Sequence, residues 1–156
     1  MPLAICHYLD FNASGKTFWL FDTFTGIPEA QMSEAEKSAR MAENAAFYSD
    51  CYEVAKRNFA PYPKAKLVRG TVPETLANVD IDRVAYLSID MNITYPERKA
   101  IEYFWPKLSH GAVVILDDYG HAHYREQKFS IDEFAAAEGV SVLTLPTGQG
   151  MLIKPA

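Results

Sequence analysis

Two strand-like runs that both end in aspartate constrain the fold of this chain more than any other feature. The first run covers residues 83–90 and ends at Asp90, and the second covers residues 111–118 and ends at Asp117 and Asp118. A helical stretch separates them, which predicts neighbouring parallel strands of one βαβ unit. Because such strands lie about 4.8 Å apart and end at one edge of a sheet, we expect the three aspartates to converge there.

The rest of the chain alternates between predicted strands and helices. Further strands are expected at residues 17–21, 66–69, 140–145 and 151–154. Helices are expected at residues 3–9, 33–42, 45–59, 73–78, 96–108 and 126–138. This order predicts one α/β domain over residues 1–156, with a doubly wound, mostly parallel, Rossmann-like sheet and an antiparallel pair of strands at the C-terminal end.

Composition excludes several classes of partner. The 156 residues carry a net charge of −5 with no cluster of Lys or Arg, which argues against a nucleic-acid or anionic-membrane surface. No apolar stretch of 18 residues and no signal-peptide pattern is present, so we expect a cytoplasmic protein. Cys6 and Cys51 are too few for a disulfide framework or a zinc site, and free buried thiols are expected.

Three carboxylates at one edge of a sheet repel one another unless a cation or a shared proton neutralises them. One interpretation of Asp90, Asp117 and Asp118 is a site for a hard divalent cation, Mg²⁺ or Ca²⁺. The other functional interpretation is a carboxylate pair that performs acid/base chemistry. The simpler alternative is that Asp117 or Asp118 only caps the following helix.

Other polar residues follow strands at the same edge. Asp22 ends the strand at 17–21, where an acidic residue of a nucleotide-binding α/β fold contacts ribose hydroxyls; the alternative is a loop or cap residue. His121 and His123 lie just beyond the aspartate pair. Each is a candidate general base, metal ligand or substrate contact, and the alternative is a pair of exposed loop histidines.

Two motif resemblances are weaker. Residues 90–94 resemble the aspartate-rich motif of haloacid-dehalogenase-type phosphatases, but Asn92 stands where that family has aspartate. The segment between Asp90 and Asp117 is also too short for that family's remaining motifs. A Mg²⁺-dependent phosphatase is therefore the less favoured alternative. Residues 15–17 resemble the end of a P-loop, but Asp10 replaces the first glycine and a strand follows, so we reject that interpretation.

A family resemblance covers nearly the whole chain, from about Leu20 to Lys154. Residues 20–28, Leu-Phe-Asp-Thr-Phe-Thr-Gly-Ile-Pro, resemble the signature DTF-x-G-hydrophobic-P of the macrocin O-methyltransferase (TylF-like) family. Residues 70–76, 87–90 and 108–119 resemble further motifs of this family, in the same order. Its members are class I S-adenosylmethionine-dependent methyltransferases.

The resemblance implies a role for each matching position. It implies that Asp22 binds the ribose of the cofactor. It also implies that three further residues line the adenine side: Gly70, Thr71 and Val72. It implies a divalent metal, Mg²⁺ or Ca²⁺, at Asp90, Asp117 and Asp118. The metal would acidify a hydroxyl of a small-molecule acceptor, such as a sugar or another natural product, and the methyl group would be transferred to it.

Two departures from the family pattern are expected to matter. Asn92 stands where many members have a second acidic residue, a candidate base, so the catalytic base is unassigned, with His121, His123 and Asn92 as candidates. The family's first strand and glycine-rich cofactor loop are expected before residue 1. A truncated domain would leave two apolar strand edges unpaired, on the strands that end at Asp22 and Asp90. We expect these two strands either to pair directly with each other or to be covered in a homo-oligomer. An inactive remnant or interaction domain is the alternative function.

Overall fold

The computed structural model describes residues 2–156 and confirms the α/β class. The helices are α1 (Pro2–Tyr8), α2 (Glu34–Phe47), α3 (Tyr52–Phe59), α4 (Thr94–Phe104) and α5 (Arg125–Ala137). The strands are β1 (Phe18–Asp22), β2 (Ala65–Arg69), β3 (Val84–Ile89), β4 (Leu108–Leu116), β5 (Leu143–Thr144) and β6 (Gly150–Ile153). None of the helices in this part of the chain is long and apolar enough to cross a bilayer.

The strands form two separate sheets. β1 and β2 pair in parallel, and the second sheet has the order β3-β4-β6-β5. Within it β3 and β4 are parallel, whereas β6 runs antiparallel to both β4 and β5. The parallel βαβ unit and the antiparallel C-terminal pair are thus confirmed. Direct pairing of β1 with β3, one of the two expected closures, is wrong for residues 2–156, because the two strands lie in different sheets.

Side chains, rather than backbone hydrogen bonds, join the two sheets. The main core lies between the four-stranded sheet and helices α4 and α5, and contains Ile101, Val114, Ile131 and Leu152, each at most 2% exposed. Trp19 and Phe21 of β1 pack against the same core. The ring of Phe21 lies 6.0 Å from that of Phe104 on α4. The position of β1 relative to β3 therefore depends on apolar contacts.

A smaller cluster fixes the outer side of the two-stranded sheet. Cys6 of α1 and Phe11 pack with Ala65 of β2, and Phe18 and Leu20 complete the contact. Helix α1 thereby covers β1 and β2. Cys6 is buried and free as predicted, but Cys51 is free and exposed, so the expectation of a second buried thiol is wrong.

Several helix boundaries in the structure differ from the predicted ones, for identifiable reasons. Residues 73–78 give only a 3₁₀ turn at Leu76–Asn78. Helix α4 ends at Phe104 because Pro106 follows in a 3₁₀ turn, so β4 begins earlier than predicted, at Leu108. The helix predicted at 45–59 begins only at Tyr52, because residues 48–51 leave the helical conformation. The Cys51 amide instead donates a hydrogen bond to the Phe24 carbonyl.

Gly150 of β6 provides a test of this packing. A Cβ at this position would lie 2.7 Å from Cγ of the Tyr119 ring, and Tyr119 is held in place by a hydrogen bond to Asp132 of 2.5 Å. Because overpacking costs about 1–3 kcal/mol, we expect Gly150→Ala to lower the free energy of unfolding in urea by that amount. Thr144→Ala, at an exposed position of β5, is the control, with a change of about 0.5 kcal/mol or less. Equal losses of unfolding free energy in Gly150→Ala and Thr144→Ala would contradict the close packing of Gly150 against Tyr119.

Candidate active site

A cavity of about 320 Å³ opens where β1, β2 and β3 end. Asp22 is the last residue of β1, Gly70 directly follows β2 and Asp90 directly follows β3, and all three line this cavity. Thr71 and Val72 line it as well. The structure therefore brings the four residues predicted for cofactor binding together around one space, next to the first of the predicted metal ligands. Ligand pockets have volumes of about 300–1,000 Å³, and this cavity is at the lower end.

The carboxylate of Asp22 organises the turn after β1. Its Oδ1 accepts a hydrogen bond of 2.7 Å from the amide of Phe24, which has a left-handed φ of 58°. The hydroxyl of Thr23 donates to the Gly26 carbonyl at 2.6 Å, which closes the turn. The hydrogen bond to Oδ1 thus orients the Asp22 side chain, and the residue remains exposed. Oδ2 is available to a ligand in the cavity.

Gly70 is required by a close approach at the end of β2. Its φ of 140° is a conformation that other residues rarely adopt, and an added Cβ would lie 2.6 Å from the Thr75 methyl group. The Gly70 amide donates to the Asp22 carbonyl at 2.9 Å. This hydrogen bond extends the β1–β2 pairing to Gly70, which lines the cavity beside Thr71.

Asp90 and Asp118 converge as predicted, with the side-chain amide of Asn92 between them. Nδ2 of Asn92 donates to Asp118 Oδ2 at 2.7 Å and to Asp90 Oδ1 at 3.3 Å. The backbone of Asn92 is left-handed, with φ 62°, a conformation that asparagine tolerates better than most residues. The Tyr48 hydroxyl donates to Asn92 Oδ1 at 2.8 Å. A neutral amide therefore occupies the position between two carboxylates.

Asp117 makes a different contact. Its Oδ1 accepts a hydrogen bond of 3.0 Å from Nε2 of Gln149, in the turn between β5 and β6. Within residues 2–156, no group of three or more His, Cys, Asp or Glu side chains is arranged as a metal site. The predicted three-aspartate metal centre therefore stays a prediction, with two of its members linked through Asn92.

The pKa values of Asp90 and Asp118 are raised by burial first and by the neighbouring negative charges second. Although Asp90 as a residue is exposed, the surrounding protein desolvates its carboxyl group and raises its pKa to about 6, and the charges of Asp117 and Asp118 add to this. Burial also raises the pKa of Asp118, partly offset by the hydrogen bond from Asn92. Such shifts mark a site where a positive charge would stabilise the ionised carboxylates.

Helix α2 contributes a stripe of polar residues that the sequence analysis did not identify. Three of its members share one helix face: Glu36, Arg40 and Asn44. The fourth, Tyr48, follows at the same spacing, directly after the helix ends at Phe47. Each contacts a different segment around the site, at Thr94, His123, Ile27 and Asn92 respectively. We refer to these four residues as the α2 stripe. Polar contacts with all four segments fix α2 over this edge of the sheet.

Glu36 connects the start of α2 with the start of α4. Its Oε2 accepts from the Ser33 amide at 2.8 Å, which completes a capping box with Ser33. Its Oε1 accepts from the amide and the hydroxyl of Thr94 at 2.7 and 2.8 Å. Burial alone would raise the pKa of Glu36, but these hydrogen bonds outweigh burial and lower it. The capping box was visible in the sequence, whereas the contact with Thr94 was not.

Arg40 is the buried cation of the site. It is only 5% exposed, its guanidinium lies 3.8 Å from the centroid of the Tyr124 ring, and Nη2 donates to the His123 carbonyl at 2.9 Å. Its Nε has no hydrogen-bond partner among the described residues. The positive charge of Arg40 opposes the rise in the pKa of Asp118 that burial causes. Arg40 therefore offsets part of the negative charge of the aspartates.

The two histidines do not line the described cavity. An added Cβ on Gly148 would lie 2.7 Å from Nε2 of His121, and the His121 ring lies 6.5 Å from that of Tyr124. His123 is exposed and contributes its carbonyl to Arg40. Their proposed role as a base stays a prediction.

Comparisons with known proteins agree with this architecture. The family model of Macrocin-O-methyltransferase (TylF) matches residues 6–143. The chain belongs to this family. The predicted family resemblance is thereby confirmed, and the phosphatase alternative loses its support.

Curated relatives of this TylF-family chain methylate oxygen according to their names. The 8-demethyl-8-(2,3-dimethoxy-alpha-L-rhamnosyl)-tetracenomycin-C 4'-O-methyltransferase of Streptomyces olivaceus is 25% identical over 134 residues, which cover 82% of this chain and 50% of the relative. The Mycinamicin III 3''-O-methyltransferase of Micromonospora griseorubida is 23% identical over 141 residues, covering 84% and 54%. The chain spans about half the length of the curated relatives it matches.

Solved structures confirm the fold. The O-methyltransferase NovP aligns with a TM-score of 0.81 and 23% identity over 99% of this chain and 66% of NovP. The calicheamicin methyltransferase CalS11 aligns with a TM-score of 0.78 and 18% identity over 97% and 65%. At these identities the likeness establishes the methyltransferase architecture.

The contact of Glu36 with two helix starts predicts a pH-dependent contribution to stability. Glu36→Gln places an amide N–H against the Ser33 amide, so we expect a loss of about 1–3 kcal/mol in urea unfolding at pH 7. Because folding lowers this pKa, the contribution is complete above the unfolded-state value near 4.5 and is lost as pH falls through the folded-state value. The difference between the two proteins should therefore shrink in acid.

The matched control for this prediction is Glu34→Gln. Glu34 is on the same helix turn, but its side chain is 89% exposed and paired only with Lys37. Its replacement should change stability by about 0.5 kcal/mol or less. A difference between wild type and Glu36→Gln that stays constant with pH would contradict the assignment.

Proposed function

We propose that the TylF-family chain is an S-adenosylmethionine-dependent O-methyltransferase that acts on a small-molecule hydroxyl. The observation that carries this proposal is the cavity at the ends of β1, β2 and β3, lined by Asp22, Gly70 and Asp90. In open α/β sheets, ligands bind at the carboxyl ends of the strands. Membership of the family supports methyl transfer as the chemistry of this cavity.

The residues of the cavity suit the proposed cofactor. S-adenosylmethionine, when bound, supplies a methyl group on a positively charged sulfur. Oδ2 of Asp22 would accept hydrogen bonds from ribose hydroxyls, as acidic residues at this position do in dinucleotide-binding folds. Thr71 and Val72 would line the adenine, and the acidic side of the cavity at Asp90 favours the positive charge of the sulfonium.

The acceptor is proposed to be a hydroxyl of a sugar or related natural product. The names of the relatives describe methylation of a rhamnosyl-tetracenomycin, of mycinamicin III and of demethyldecarbamoylnovobiocin. In this chain the acceptor hydroxyl would lie near Asp90, on the side where Asn92 and Tyr48 border the cavity. Which sugar and which hydroxyl are accepted depends on the surrounding loops.

A divalent cation, Mg²⁺ or Ca²⁺, is proposed at Asp90, Asp117 and Asp118. All three offer the oxygen ligands that such cations prefer, and the raised pKa values of Asp90 and Asp118 favour a positive charge beside them. A bound cation lowers the pKa of a coordinated hydroxyl. The Asn92 amide carries no titratable group and therefore orients the two aspartates instead of accepting the proton; His121 and His123 remain the proposed bases.

An interaction domain that binds no cofactor is the alternative, and unpaired strand edges favour it because they can associate with another chain. Within residues 2–156, β1 pairs with β2 and β3 pairs with β4, but β1 and β3 do not pair with each other. Strand edges without a partner promote association. A homo-oligomer that covers these edges is part of both proposals. Cytoplasmic location also stays a prediction.

Calorimetric titration with S-adenosylhomocysteine separates the two proposals. We expect micromolar binding by the wild-type chain and about 10- to 100-fold weaker binding by Asp22→Asn, because hydrogen bonds to a charged group are worth about 1.5–3 kcal/mol. Asp82→Asn, at an exposed position away from the cavity, is the control and should bind like wild type. No binding of wild type at millimolar ligand would favour the domain without cofactor binding.

Thermal unfolding with added MgCl₂ tests the proposed cation site. A cation that binds only the folded state raises the unfolding temperature, so millimolar MgCl₂ should raise it by a few degrees for wild type. The shift should be absent in Asp118→Asn and retained in Glu53→Gln, whose side chain is 69% exposed on α3. An equal shift in wild type and Asp118→Asn would contradict the site.

A further inference from the structure

A buried carboxyl group lies beneath the cavity and has no part in the function proposed above. Glu97, in the first turn of α4, is 6% exposed, and Gln127 of α5 is 3% exposed. Nε2 of Gln127 donates to Glu97 Oε1 at 2.9 Å. A carboxyl group and an amide are costly to bury between two helices unless both are hydrogen-bonded. The hydrogen bond offsets this cost, and the question is what the buried carboxyl group does there.

The same carboxyl oxygen reaches the segment after β3. The backbone amide of Met91 donates to Glu97 Oε1 at 3.2 Å. Met91 lies between Asp90 and Asn92, and all three line the cavity. Glu97 therefore holds the backbone of this turn from below, while Tyr48 and Asp118 hold the Asn92 side chain from other directions.

The turn has a conformation that needs such support. Asn92 has a left-handed backbone, with φ 62°, and its amide must face Asp90 and Asp118 at the same time. A turn held only by its side chains would lose this orientation through a small backbone rotation. A hydrogen bond to the Met91 amide, made by a group fixed between two helices, removes that freedom.

The charge state of Glu97 suits a structural acceptor. Burial raises its pKa to about 8, against the hydrogen bonds from Gln127 and Met91, and the nearby charges of Asp118 and Asp90 contribute to the rise. A neutral acid adds no further negative charge to the aspartates. It still accepts hydrogen bonds through one oxygen, as a glutamine side chain would.

We propose that Glu97 is a positioning residue, which fixes the turn at residues 90–92 through the Met91 amide and so shapes the wall of the cofactor cavity. Its effect on the reaction rests on the proposed function, whereas its effect on the turn does not. Because Oε1 is the atom that contacts both Met91 and Gln127, Glu97→Gln should retain the role. Glu97→Met has a similar volume and removes the acceptor.

Amide hydrogen exchange measured by NMR tests the contact directly. The Met91 amide of the wild type should exchange slowly, and Glu97→Gln should preserve this protection. In Glu97→Met we expect exchange at least about tenfold faster, which corresponds to the loss of a hydrogen bond worth roughly 1.4 kcal/mol. Calorimetry should show S-adenosylhomocysteine binding about tenfold weaker in Glu97→Met and changed less than about twofold in Glu97→Gln.

The control is Glu133→Met on α5, where the glutamate side chain is 81% exposed. It should leave both measurements unchanged. If wild type fails to bind S-adenosylhomocysteine, the proposed function fails, but the exchange of Met91 still tests the positioning role. Unprotected exchange of the Met91 amide in wild type would overturn the proposal, and this result does not depend on whether Glu97→Met folds. Equal protection of the Met91 amide in wild type and Glu97→Met would overturn it as well.

Discussion

Repulsion among the aspartates that follow β3 and β4 is the constraint around which this region is arranged. Parallel pairing of the two strands places Asp90 and Asp118 at one edge, where like charges close together raise each other's pKa. The structure offsets the repulsion with groups that donate hydrogen bonds or carry positive charge. Asn92 lies between the two, Gln149 donates a hydrogen bond to Asp117, and the charge of Arg40 opposes the rise in the pKa of Asp118. The proposed divalent cation would complete this compensation.

The second element of the arrangement is the α2 stripe. Hydrogen bonds from these four residues connect α2 to the loops after β1, β3 and β4 and to the start of α4. Two members, Glu36 and Arg40, are charged and buried, and such groups are stable only when their hydrogen bonds are formed. The loops and the helix therefore depend on one another, which suits a cavity whose walls come from several separate segments of the chain.

Residues at the ends of strands could be predicted from the sequence, because strand direction alone decides which edge they share. Asp22 and Asp90 were placed at one edge in this way, whereas Gly70 was assigned through the family resemblance, and all three line one cavity. Residues that act through helix packing were missed. The polar spacing of α2 is typical of an exposed face, and Glu97 looks like an ordinary first-turn glutamate. Only the tertiary structure shows that Thr94 and Met91 lie within reach of these side chains.

The central claim is that three strand ends form one cofactor site, and chemical-shift mapping with S-adenosylhomocysteine tests it most directly. The account predicts that amide signals of residues 22–24, 70–72 and 90–92 shift together at saturation, with one dissociation constant. Signals of β5, at the opposite edge of the four-stranded sheet from β3, should stay unchanged. Shifts confined to other segments, or none at millimolar ligand, would contradict the claim.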